Sequence, residues 1–205
     1  MAADDSGTTS GTLDRVVPWT GPVAILVAAI GILAASVLAP WFSWTGNALS
    51  DLGARGVATA PLFNGTLIIA GFLGIPFAGW LVRVQRDRIR RAAAVVFGLS
   101  MPTLALIGVF ALPSPLHGPV ALAYFLLFTL AILVDGLGAL RTGEAPDGWL
   151  SIGLGTAHVA GWIVWGVSGH EGIALPEAVG TVAVGIWVLR RFQEFSGPGE
   201  LLSPD

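Results

Sequence analysis

Six long oily blocks recur along the chain, each closed by a short polar stretch. They run from Thr20 to Phe42, Pro61 to Val82, Arg91 to Leu112, Leu116 to Leu140, Trp149 to Ser168 and Ala174 to Leu189. Within a block the apolar residues do not alternate at a period of two or 3.6; they fill every side. A bilayer core is about 30 Å thick and a helix rises about 1.5 Å per residue, so roughly 20 apolar residues cross it. The pattern predicts an all-α fold: a polytopic membrane protein built as a bundle of six transmembrane helices. Pro61 and Pro176 suit first helical turns, where a missing N–H costs nothing. Thr59 suits the N-cap of the second helix. Ala70, Gly74 and Ala78 on the second block, and Ala157 and Gly161 on the fifth, recur every fourth residue. Small residues at that spacing predict close helix–helix approach in lipid. Residues 1–17 and 193–205 are polar and predict disordered tails around one membrane domain over 18–192.

Composition agrees with the pattern. Of 205 residues, 54% are hydrophobic and only 11% are charged, where a soluble domain has about a quarter charged. The absence of cysteine excludes disulfides and thiolate metal sites. A net charge of -3 argues against nucleic acid as a partner and leaves membrane lipids as the expected one; no protein partner is legible. All ten basic residues are arginine, and an acidic, lysine-free chain of this kind is associated with salt-adapted archaea. The arginines also predict orientation. With the N-terminus inside, Arg15, Arg83, Arg86, Arg88, Arg90, Arg91, Arg141, Arg190 and Arg191 fall on inner segments, and Arg55 alone on an outer one. That bias places both termini in the cytoplasm and the protein in the cytoplasmic membrane. Trp19, Trp80, Trp149 and Trp187 fall near inner ends, and Trp41, Trp44 and Trp165 near outer ends, as two aromatic belts.

Polar residues inside or beside the blocks are the candidates for chemistry. The first outer loop carries Asn47, Ser50, Asp51 and Arg55. Asp51 and Arg55 are four apart, so one helical turn would pair them, capped by Ser50 or Asn47. The stretch reads either as a self-satisfied interfacial helix or as the lining of a pocket at the outer mouth. Asn64, one turn into the second block, needs a partner on another helix or on the loop. His117 opens the fourth block: it either bonds a backbone carbonyl or faces Asp51. His158 lies about 14 Å into the fifth block, on one face with Ser151, Gly155, Trp162 and Trp165, which directs it inward. It reads either as an interhelical hydrogen bond or as a ligand or proton site. Asp135 falls near the inner edge, where it snorkels or pairs with an arginine. No two histidines share a helical face at i, i+4, so no metal site is predicted. No phosphate loop, dinucleotide fingerprint or nucleophile elbow occurs, and no cofactor is predicted.

The stretches NALSDLG, PLFNGTLIIAGFLG and GVFALPSPLHGPVALAYFLLF resemble the domain-of-unknown-function 998 family of six-helix membrane proteins. The matching positions are Ser50, Asp51 and Gly53; Phe63 and Asn64; and Gly108, Phe110, Pro113 and His117. The family's acidic residue in the outer stretch between the third and fourth blocks is missing, and residues 111–115 offer only Ser114. The resemblance implies location and fold. Together with the clustering of polar residues it leads to an expected function: binding of a lipid or small molecule in an outward-facing polar pocket lined by Asn47, Ser50, Asp51, Arg55, Asn64 and His117, with His158 as a deeper candidate. The alternatives are an enzyme acting on lipid headgroups and a small transporter or proton-coupled carrier.

Overall fold

The computed structural model describes residues 15–195, so the outer parts of both predicted tails, 1–14 and 196–205, lie outside the described residues. After a short 3-10 turn at Val17–Trp19 come six helices: α1 (Thr20–Leu38), α2 (Ala60–Val84), α3 (Arg88–Val109), α4 (His117–Arg141), α5 (Ala145–Val167) and α6 (Ala174–Phe195). A second 3-10 turn, Leu49–Gly53, sits in the α1–α2 loop. No strand occurs among the described residues. Five helices, α1 to α5, are long and apolar enough to cross a membrane. α6 is not, which departs from the expected six. Its uncharged run stretches only from Ala178 to Leu189, between Glu177 and the Arg190–Arg191 pair.

Several helix ends also differ from expectation. α1 stops at Leu38, because Pro40 disfavours helical geometry at Ala39, which turns out at φ −108, ψ 87. α3 starts earlier than expected because Asp87 caps it, accepting from the N–H groups of Ile89 and Arg90 at 2.9 and 3.0 Å. Thr59 holds the N-cap position of α2 without capping it; its hydroxyl donates instead to the Leu52 carbonyl at 2.8 Å. α6 continues through Glu194 to Phe195, into the stretch expected to be tail.

Consecutive helices run antiparallel and close into a ring, α6 returning to α1. One end of the ring carries the α2–α3 and α4–α5 loops and both ends of the described chain; we call it the arginine end. The far end carries the other three loops. The α2–α3 seam is a close one. A Cβ on Gly71 would lie 2.7 Å from the Met101 carbonyl oxygen, and one on Gly74 would overlap the Met101 sulphur. The predicted small-residue face of α2 therefore seats α3. On α5 the close approach uses other residues than expected. Gly148 and Gly155 admit Leu140 and Leu133 of α4, whereas Gly161 only touches Val179 of α6. Outward-facing side chains are apolar along the ring, among them Leu26, Leu33, Phe72, Leu126 and Ile163. Such a surface suits lipid rather than water.

Candidate functional site

The α1–α2 loop builds the roof at the far end. Asp51 Oδ2 accepts from the Ala48 N–H at 2.9 Å and from Asn47 Nδ2 at 3.1 Å. Asn47 Oδ1 accepts from the Ser43 N–H at 2.9 Å. The Asn47 carbonyl receives Ile173 and Ala174 N–H, both at 2.9 Å, tying the α5–α6 loop down. Asn64 Nδ2 donates to the Gly53 carbonyl at 2.8 Å, fixing the loop to α2. Arg55 is exposed, and Asp51 forms no ion pair with it. The expected Asp51–Arg55 pair does not form because the segment is a 3-10 turn that leaves at Ala54 in extended geometry (φ −63, ψ 145). With three residues per turn, positions four apart do not share a face.

Beneath this roof lies a cavity of about 310 Å³, walled by α1, α2, α3, α4 and α6. Its walls are mostly apolar, with Ala28, Ile32, Leu67, Phe77, Phe97 and Met101 typical. Polar side chains reach it at Ser50, His117, Tyr124, Glu177 and Thr181. His117, 7% exposed, meets the Phe110 carbonyl through Nδ1 at 3.0 Å. A carbonyl only accepts, so Nδ1 carries the hydrogen, and in the neutral ring Nε2 is a bare acceptor. Glu177, also 7% exposed, accepts the Leu49 N–H at 2.6 Å through Oε2, which leaves Oε1 for the cavity. The cavity is open at its side. Val182, Ile186 and Leu189 of α6 line it and also face outward, opposite Ile25 and Ala29 of α1.

Of the residues singled out in the sequence, Ser50 and His117 line this cavity. Asn47, Asp51 and Asn64 form the roof's internal bonding. Arg55 stands outside, and His158 belongs to a separate cluster between α4, α5 and α6. There Trp162 Nε1 donates to His158 Nε2 at 2.8 Å. Nδ1 must then carry the hydrogen, and it donates to Thr129 Oγ1 at 2.7 Å; the Thr129 hydroxyl donates to the Phe125 carbonyl at 2.6 Å. The ring stacks on Phe128 with centroids 4.9 Å apart. Both nitrogens are committed, which is the interhelical hydrogen-bond reading. Glu177 was missed by sequence reasoning; a carboxyl in the first turn of a short apolar block was its only signal.

A buried ion network at the arginine end was also missed. Arg90 is 3% exposed and forks to three carboxylates: Asp135 at 3.1 Å, Glu144 at 2.6 Å and Glu194 at 2.8 Å. Asp135 also accepts from Trp187 Nε1 at 2.9 Å and from Ser151 Oγ at 3.2 Å. Trp187 thus serves the core rather than an aromatic belt. Arg191 is 1% exposed; it pairs with Glu194 and lies 3.4 Å from Asp147 and 3.8 Å from Asp135. The network joins α3, α4, α5 and α6. Asp135 inside an apolar block was its visible sign, and the pairing with an arginine expected for it does occur. In the α2–α3 loop, the Arg90 N–H, followed by the side chain of Arg141, holds the Asp87 carboxyl below the usual carboxylate range against a smaller opposing effect of desolvation.

Compared with known proteins, residues 22–190 match a family model described as "Protein of unknown function (DUF998)". No curated protein and no solved structure matches the chain.

Proposed function

This chain belongs to the DUF998 family, and from that premise we propose that it is a six-span protein of the cytoplasmic membrane that binds a lipid, its tail in the central cavity and its polar end under the Ser50–Asp51 roof. The observation that carries the reading is the side opening between α1 and α6. The same α6 residues line the cavity and belong to the outward apolar surface. A molecule already dissolved in the bilayer enters such a slot without passing through water. The volume is at the lower end for ligand pockets, about 300–1,000 Å³, and apolar walls with a few convergent polar groups are the usual composition. In this reading the sequence-derived pocket survives in a changed form: apolar rather than polar, with Ser50 and His117 at its head.

The test is lipid analysis of the purified full chain against Ala28→Trp. Ala28 is partly buried on the cavity wall, so an indole there fills open space. Wild type is expected to retain about one tightly held lipid per chain, and the variant to lose most of it while melting at a similar temperature. Equal retention by both proteins would remove the cavity from the reading.

A further inference from the structure

The polar head of the cavity is unequal in charge and in hydrogen bonding, and this bears on which lipid the slot takes. Its two fixed groups each keep one atom able to accept. His117 has given its only N–H to Phe110, and Glu177 has one oxygen on Leu49 N–H and one left over. The Ser50 and Tyr124 hydroxyls accept as readily as they donate. No arginine lines the cavity, and the chain has no lysine. Arg55, the one arginine at this end, faces solvent. A phosphate or carboxylate head would therefore be buried beside a carboxyl group with no arginine or lysine to balance it, which is costly. A hydroxyl head can donate to His117 Nε2 or Glu177 Oε1 and accept from Ser50 or Tyr124. Such pairing adds hydrogen bonds to the polar side chains that line the cavity.

From this we infer that the occupant is a lipid alcohol: a long apolar tail ending in an uncharged, hydrogen-bond-donating hydroxyl, selected against anionic lipids by Glu177 and His117. The inference rests on the lipid-slot reading above and adds the chemistry of the head. It also sets the slot apart from the arginine end, where Arg83, Arg86, Arg88 and Arg91 are exposed and suit anionic headgroups.

The experiment measures binding to the delipidated full chain in neutral detergent by native mass spectrometry. Three probes share one tail: hexadecanol, hexadecyl phosphate and hexadecyl methyl ether. Hexadecanol is expected to bind at least about tenfold more tightly than either of the others, since one unpaired buried polar or charged group is worth a factor of that order. In Glu177→Gln, which keeps an acceptor for Leu49, the phosphate is expected to gain on the alcohol. Phosphate or ether binding as tightly as the alcohol in wild type overturns the head assignment and leaves the slot standing. An unchanged alcohol-to-phosphate ratio in Glu177→Gln removes Glu177 as the selector. Failure of all three probes to bind overturns the slot reading itself.

Discussion

The hydrogen of Trp162 decides the tautomer of His158, and through it the direction of every bond in the buried relay. Trp162 can only donate, so His158 accepts at Nε2 and donates at Nδ1 to Thr129, which passes its own hydrogen to Phe125. Thr129→Val keeps the shape and removes the acceptor, stranding a buried N–H. That is expected to cost about 1–3 kcal/mol, read as a lower midpoint in thermal or denaturant unfolding, while Thr129→Ser stays close to wild type. A wild-type midpoint for the valine variant would mean that the imidazole has another partner. The sequence disclosed that His158 is deep and inward-facing, because both follow from its spacing along one helix. It could not disclose Thr129, which is 29 positions away and meets His158 only once α4 and α5 pack. Asp51 fails in the opposite way. Its i, i+4 relation to Arg55 is a rule for α-helices, and the chain there takes a 3-10 turn instead.

At the scale of elements, the oily blocks were legible because each is nearly uniform, so small errors in their limits hardly matter. The ends were not, because capping is decided by single residues. Asp87 is the clearest case: a carboxylate placed to receive two N–H groups starts α3 one residue after itself, and it also pairs with Arg141 at the close of α4. Its folded pKa is held down by the Arg90 N–H first and the Arg141 side chain after it. A lowered carboxyl pKa means that the stabilisation is fully present above the ordinary aspartate value. It is lost as pH falls through the lowered one. Asp87→Asn retains a capping oxygen and discards the charge. The variant is expected to melt below wild type at neutral pH, with the gap closing in strong acid, as followed by circular dichroism at several pH values. A gap of constant size would show that the charge contributes nothing beyond the cap. The head of the cavity was half legible for a related reason. Ser50 and His117 stand out as polar residues beside oily blocks, whereas Glu177 reads as an ordinary first-turn acid until α6 closes the ring over Leu49.

For the whole molecule, the proposal of six spans turns on α6, whose hydropathy alone does not require it to cross a bilayer. Two of the charged residues that lower the average are turned inward, while Arg190 stays exposed at the arginine end. Glu177 bonds Leu49 at the far end, and Arg191 sits in the ion network at the other, both nearly fully buried. What α6 shows to the outside is Val182, Ile186 and Leu189. At 22 residues it is about 33 Å long, enough to span a core of about 30 Å. A helix that turns Glu177 and Arg191 into the ring and an apolar middle outward can meet lipid along that middle, which supports six crossings. The same reasoning supports the orientation, since nine arginines collect at one end and Arg55 alone stands at the other. The natural lack of cysteine makes this directly testable. With a membrane-impermeant maleimide on intact cells, Arg55→Cys and Ser168→Cys are expected to label, whereas Arg86→Cys and Arg190→Cys label only after permeabilisation. Labelling of Arg190→Cys from outside, with Arg86→Cys still protected, would mean that α6 does not cross. Reversal of all four would invert the bundle and put the roofed cavity in the cytoplasm.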